Sequence, residues 1–295
     1  MTILVVAATG RVARAALESM LERNVPVRAL VRDASKLRAW FGPDIFAKLA
    51  VVDGEFDDPS ILHRAFDDVT EVYLGLGTSP RQIDIEKCLI DAAARAGVRQ
   101  LVRLSVFDAD VNADYEVARR HGELDAYLVK SNVPHTRICP TYFMSNLLFA
   151  ASAIANNTSW SGMVPTGRVA MVDARDVGEA AAEVLLKPSL QNKTYYLSGP
   201  QSLTFEEAAS AFSRILKRVV EYKAADIDTL RRGYAARGVP TWLAEIALGI
   251  DAAMQKGRHE RVTSDLTQLL AHAPRTLDDF IRDHLALFST SHVSV

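Results

Sequence analysis

Residues 7–13 read Ala-Ala-Thr-Gly-Arg-Val-Ala, between an apolar run and a helical pattern. A turn so placed can receive a phosphate. Small residues let the backbone approach the anion, and the helix N-terminus offers unpaired N–H groups and the positive end of its dipole. Only Gly10 fills a glycine slot of such a loop; Ala7 and Ala13 occupy the first and third. Alanine suits the third slot, where the helix packs on the strand. At the first, its Cβ is expected to crowd the turn or the ligand. The second apolar run ends Leu30-Val31-Arg32-Asp33. An acid near that point would take the ribose 2′-hydroxyl of NAD. Arg32, followed by Lys36 and Arg38, suits a 2′-phosphate, and hence NADP(H). The same charges also suit an ordinary solvated helix start.

Three further positions carry chemistry. Ser105 closes the fifth apolar run, where parallel strands open onto a crevice, or it simply terminates the strand. His121 can hydrogen-bond a ribose or donate a proton near neutral pH; otherwise it is a partly exposed helix histidine. Pro140-Thr141-Tyr142-Phe143-Met144, after the sixth run, offers an aromatic wall for a flat substrate, or a core contact between lobe and sheet. The stretch Leu76-Gly77-Thr78-Ser79-Pro80 is expected to border the same crevice. No metal is expected: the sequence holds no His-x-x-x-His and no clustered carboxylates, and Asp57-Asp58 and Asp67-Asp68 read as helix-start and surface charges. The two cysteines, Cys88 and Cys139, fit a reducing compartment. There is no Gly-x-Ser-x-Gly elbow.

The elements that must position these residues alternate regularly. Apolar runs at 3–8, 27–31, 49–52, 71–76, 101–105 and 136–139 read as buried strands. Helical patterns at 11–24, 59–66, 81–96 and 115–131 fall between them. This rhythm predicts an α/β protein with a Rossmann-type, doubly wound parallel sheet. It breaks near residue 141. Beyond it we expect a smaller, mostly helical lobe, with short strands near 168–172 and 194–198 and helices at 176–187, 204–217, 226–237, 241–256 and 276–288. The chain thus divides into 1–140, the dinucleotide-binding part, and 141–295, the substrate-binding lobe, with a soft boundary across which a seventh strand can return. Helix 241–256, which carries Asp251 and Lys256, reads as a packing or homodimer face rather than a membrane anchor. A net charge of −2, with no basic cluster beyond arginine pairs, argues against nucleic acid. The apolar runs are too short to cross a membrane and no basic leader precedes the first, so a cytoplasmic protein is expected.

In sequence order these pieces resemble the NmrA-like atypical short-chain dehydrogenase/reductases, in the branch of NAD(P)H:quinone oxidoreductases and triphenylmethane reductases. The resemblance covers almost the whole chain. The family loop Thr-Gly-Ala-Thr-Gly-x-x-Gly is matched by Val6 to Ala13, its Leu-Val-Arg by Leu30-Val31-Arg32, and its Gly-Asp-x-x-Asp-Pro by Gly54-Glu55-Phe56-Asp57-Asp58-Pro59. A family His followed four residues later by an acid corresponds to His121 and Asp125. Thr-x-Leu-Arg-Pro corresponds to Thr136 to Pro140, with Cys139 in place of the arginine. Further matches lie at Asp91–Val98, Asn192–Pro200, Leu203–Glu207, Gly238–Pro240 and Arg275–Phe280.

The wider superfamily uses Tyr-x-x-x-Lys. In this register His121 takes the lysine position and Val117 the tyrosine position. Tyr115-x-x-x-Arg119 has the spacing, but lies two residues off on another helix face. The resemblance implies cofactor contacts at Ala7, Thr9, Gly10, Arg11, Val12, Arg32, Lys36, Phe56, Gly77, Thr78, Ser105, His121, Pro140, Tyr142 and Phe143, with chemistry at His121, Ser105 and Tyr142. The activity implied is an NADP(H)-preferring reductase passing hydride to a small conjugated or aromatic acceptor such as a quinone or enone. Two alternatives keep the crevice: a cofactor-independent isomerase, cyclase or lyase using His121 and Tyr142 as acid–base groups, or a non-enzymatic NADP-sensing regulator with a protein partner.

Overall fold

The computed structural model describes residues 2–157 and 159–289. Residues 158 and 290–295 of the expected second part lie outside the described residues. The first part runs β1 (Ile3–Val6), α1 (Arg11–Glu22), β2 (Val27–Val31), α2 (Ala34–Phe46), β3 (Ala50–Asp53), α3 (Pro59–Phe66), β4 (Glu71–Leu74), α4 (Gln82–Ala96), β5 (Gln100–Leu104), α5 (Glu116–Lys130) and β6 (His135–Pro140). Then follow a 3₁₀ segment (Met144–Ala150), α6 (Ala151–Asn157), β7 (Ser159–Gly162), α7 (Ala174–Leu186), β8 (Thr194–Leu197), α8 (Phe205–Leu216), β9 (Glu221–Ala224), α9 (Ile227–Ala236), α10 (Thr241–Gln255), α11 (Asp265–Leu269), α12 (Leu277–Asp283) and α13 (Leu285–Phe288).

The main sheet is parallel throughout, in the order β3-β2-β1-β4-β5-β6-β8. Continuous apolar runs serve because both faces are covered. Ile3, Val5, Ala29, Tyr73, Val102 and Ile138 pack with residues of α1 and α7. Leu4, Val6, Leu30, Val72, Leu74 and Leu101 pack with α3, α4 and Leu128 of α5. Strand order reverses between β1 and β4, which opens the crevice at the carboxyl edge beside the Ala7–Ala13 loop. The returning seventh strand is β8, parallel to β6 with Ile138 opposite Tyr195. A third core, including Met144, Trp160, Phe205, Phe212, Met254, Phe280 and Phe288, holds the C-terminal lobe together.

Several elements differ from the sequence reading. Residues 168–172 form no strand, only isolated bridges from Val169 to Leu203 and from Phe143 to Val172. The lobe instead carries the parallel pair β7–β9. Each of these strands is four residues long, and Trp160 is the one buried residue in the pair, too little for an alternating signal. Helix α2, absent from the reading, buries only Leu37 and bends at Gly42 (φ 72) before Pro43, so it has almost no apolar periodicity. The helix expected over 276–288 breaks at His284 into α12 and α13.

Candidate functional site

The phosphate loop keeps a glycine-type turn without its first glycine. Ala7 takes a left-handed backbone, φ 53, and its carbonyl accepts the Gly10 N–H at 2.7 Å. A Cβ on Gly10 would lie 3.2 Å from that carbonyl oxygen, so the loop is tight where glycine remains. The turn expected to suffer at Ala7 is therefore formed, at the cost of strain in an L-residue. Ala13 is buried in the core, as the third slot requires. Helix α1 starts at Gly10 with no side-chain cap and no acidic residue in its first turn. Its first N–H groups thus remain available to an anion. Gly10 and Arg11 are exposed, Thr9 is half-buried and Val12 is buried.

One strand over, Asp33 caps α2 by accepting the Ser35 N–H at 2.9 Å. Arg32 and Lys36 are exposed and make no ion pair among the described residues. Gly77 and Thr78 are exposed after β4, whereas Phe56 is buried in the core that contains Leu30 and Leu74. A dinucleotide phosphate fits this corner: the turn is made, the helix end is uncapped, and two cations stand unpaired.

Ser105 and His121 are joined by a buried ionic network built on Arg103 of β5. The Arg103 side chain is 0% exposed. Its Nε donates to Glu86 Oε2 at 2.9 Å, its Nη1 to Asp125 Oδ1 at 2.5 Å, and its Nη2 lies 3.2 Å from His121 Nδ1. Ser105 Oγ donates to Asp125 Oδ2 at 2.8 Å, so its proton is committed and it offers lone pairs elsewhere. Arg137 Nη1 reaches the same carboxylate oxygen at 3.4 Å, and Gln82 Nε2 donates to Glu86 Oε1 at 2.9 Å. Burial pushes the Glu86 carboxyl up against the pull of Arg103. Burial first, then the charges of Arg103 and Arg120, holds His121 well below the usual imidazole range. His121 is buried, unlike the partly exposed histidine that was one reading of the sequence. Cys139, beside Asp125, has its thiol pushed up to about 12 by burial, which removes it as a nucleophile.

At the far end of the crevice Pro140 is buried, while Tyr142 and Phe143 are half-buried. The Tyr142 ring meets Phe205 edge-on at 6.3 Å, and Phe205 stacks on Tyr222 at 5.1 Å. The core-contact reading of this segment is realised: Phe143 packs against the sheet core and Tyr142 against the lobe core. Asp251 of α10 accepts the Met163 N–H at 3.1 Å, and burial pushes its carboxyl up to about 6. Its charge acts on Tyr142, Tyr222 and Tyr234. Tyr115, the off-register tyrosine, is buried; its hydroxyl donates to Asp108 and lies 3.3 Å from His259 Nε2.

Sequence reasoning missed Arg103, Glu86 and Asp251 as site residues. One signal was visible for the first: a lone arginine inside the apolar run Leu101-Val102-Arg103-Leu104. It missed also that Asp176, Glu179 and His272 come together. Arg275 Nη1 bonds Asp176 and lies 2.9 Å from Glu179, so those carboxylates are already paired with a cation.

The model of the NmrA-like family matches residues 1–281. An NAD(P)H azoreductase of Xenophilus azovorans is 29% identical over 290 residues, covering 98% of this chain and 100% of that protein. A (4-alkanoyl-5-oxo-2,5-dihydrofuran-3-yl)methyl phosphate reductase of Streptomyces griseus is 31% identical over 288 residues, 97% of this chain and 99% of that protein. Among solved structures, the NADPH-dependent quinone oxidoreductase of Escherichia coli in complex with NADPH superposes with TM-score 0.87 at 23% identity, covering 97% of this chain and 100% of that one. The triphenylmethane reductase of a Citrobacter species in complex with NADP(H) gives TM-score 0.84 at 23% identity, covering 95% and 99%. The two structural likenesses are likenesses of fold.

Proposed function

This chain belongs to the NmrA-like family, and from that premise we propose that it is an NADP(H)-preferring reductase acting on a small conjugated or aromatic acceptor such as a quinone. The observation that carries the reading is the phosphate corner: Ala7 holds a glycine-type turn against its own strain, and Arg32 and Lys36, one strand away, make no ion pair among the described residues. Two full-length relatives that are named reductases support it.

The nicotinamide cofactor supplies, when bound, a hydride from its ring. The residues of this chain do the rest. The backbone N–H groups of Arg11 and Val12, at the uncapped start of α1, would hold the pyrophosphate, with Ala7, Thr9 and Gly10 shaping the turn. Arg32 and Lys36 take the 2′-phosphate. Gly77 and Thr78 border the ribose side, over the buried Phe56. Ser105 presents an acceptor, since its proton goes to Asp125, and His121 presents a donor. Pro140, Tyr142 and Phe143 wall the crevice and exclude water from an apolar substrate. The C-terminal lobe, built around the core that includes Met144, Phe205 and Phe280, supplies the substrate side.

Purified protein titrated with NADPH and NADH, then assayed for NADPH oxidation with a quinone, an azo dye and an enone, tests the reading. We expect NADPH to bind more tightly than NADH, and at least one acceptor to be reduced. No binding of either dinucleotide ends it.

A further inference from the structure

We infer that Arg103 is a positioning residue that fixes His121 in one neutral tautomer, with its proton on Nε2, so that the ring meets a ligand as a hydrogen-bond donor. Its meaning for catalysis rests on the reductase reading above; the state of the ring does not.

The geometry is restrictive. All of the guanidinium's polar hydrogens are donors and it has no lone pair to offer. Its Nη2 lies 3.2 Å from His121 Nδ1 with both side chains buried. Nδ1 must therefore carry the lone pair, and the single proton of a neutral ring sits on Nε2. Nε2 makes no hydrogen bond to any described residue, which leaves its N–H for a ligand. Arg103 cannot swing away to release the ring, because its other nitrogens are held by Glu86 and Asp125 at 2.9 and 2.5 Å. The charges that act on the ring are Arg103 from β5 and Arg120 from its own helix, the latter paired with Glu116 at 2.6 Å, while Asp125 of that helix and Glu86 of α4 bind Arg103. Both carboxylates are engaged by Arg103 itself, so two cations and burial oppose a second proton.

Two consequences follow. His121 keeps its neutral ring to lower pH than a free imidazole does, because burial and the charges of Arg103 and Arg120 disfavour a second proton. And it acts on an oxygen acceptor, a carbonyl or a hydroxyl of the bound ligand, rather than delivering a proton.

The test is a long-range ¹H–¹⁵N spectrum of the ¹⁵N-labelled full chain without cofactor, over about pH 5 to 8, with His121→Gln assigning the signals. We expect one pattern throughout: bare Nδ1 and protonated Nε2. A proton on Nδ1, or a transition near about pH 6.5, overturns the inference. Arg103→Lys keeps the charge but loses the aimed Nη2, so His121 should begin to titrate or mix tautomers; an unchanged pattern overturns Arg103 as the cause. Should that variant not fold, a second pair decides. In His121→Gln an amide N–H reaches the place of Nε2. In His121→Asn the side chain keeps an oxygen for Arg103 and has no donor beyond it. The glutamine variant should retain kcat/KM about tenfold above the asparagine variant, the effect of one hydrogen bond. Equal losses overturn the donor role. A protein that passes the spectroscopic test yet binds no NADPH would sink the reductase reading alone.

Discussion

Gly178 of α7 and Ala15 of α1 meet so closely that a methyl group on Gly178 would lie 2.5 Å from the Ala15 methyl and 2.6 Å from the Val12 carbonyl oxygen. The helix that carries the phosphate loop is thus pinned from beyond residue 140. Gly178→Ala should cost about 1–3 kcal/mol, as overpacking in a close-packed core does. Because the strain falls on α1, NADPH affinity should drop as well. Urea unfolding and cofactor titration of the variant check both, and unaltered stability would mean that the two helices can separate freely.

Ala7 tests the loop itself. With φ at 53 it bears a strain that glycine does not. Ala7→Gly should raise stability by up to about 1 kcal/mol, the strain relief exceeding the extra entropy of the unfolded glycine chain. Ala13→Gly, inside α1, should lower it by about 1 kcal/mol. Thermal melts of the two variants should move in opposite directions. If Ala7→Gly melts lower than the wild type, the alanine turn is not strained.

Arg32 is expected to distinguish the two dinucleotides. It is exposed and has no ion pair within the described residues, so its removal costs the fold little. A charge-assisted phosphate contact contributes about 1.5–3 kcal/mol, so Arg32→Ala should weaken NADPH roughly ten- to a hundred-fold and leave NADH nearly unaffected. Calorimetric titration with both cofactors gives the ratio. Equal losses would show that Arg32 does not read the 2′-phosphate.

Asp251 should make stability depend on pH. Its folded pKa is raised from 3.8 to about 6. The folded protein therefore holds that proton more tightly than the unfolded chain. This contribution is fully present below the unfolded value and is lost as pH rises through about 6. Asp251→Asn still offers an oxygen to the Met163 N–H but has no charge to bury. Its advantage over wild type should be small at acid pH and grow to as much as about 3 kcal/mol at neutral pH. Denaturant midpoints across that range measure the difference, and a difference independent of pH would place the carboxyl in water.

The apolar runs alone were enough to read the parallel sheet, whose strand order reverses between β1 and β4. Runs such as Ile3–Val6 are buried on both faces, and a strand of that kind announces itself without reference to its neighbours. Gly10 and Arg32 were legible for a related reason: each sits within a few residues of a strand end, so their placement follows from local order alone. The C-terminal lobe was less legible because its short strands β7 and β9 are stabilised by each other, across about sixty residues of chain. The state of the buried polar groups was not legible, because it is set by contacts between distant parts of the chain. Arg103, Glu86, His121 and Asp125 come from three elements, and the proton on His121 depends on which nitrogen faces a guanidinium. Asp251 looked like one charge on a helix face, and its raised carboxyl follows from burial by the lobe. Strand and helix propensities are properties of neighbouring residues; hydrogen-bond direction and desolvation are properties of what the fold brings within 3 Å or so of an atom.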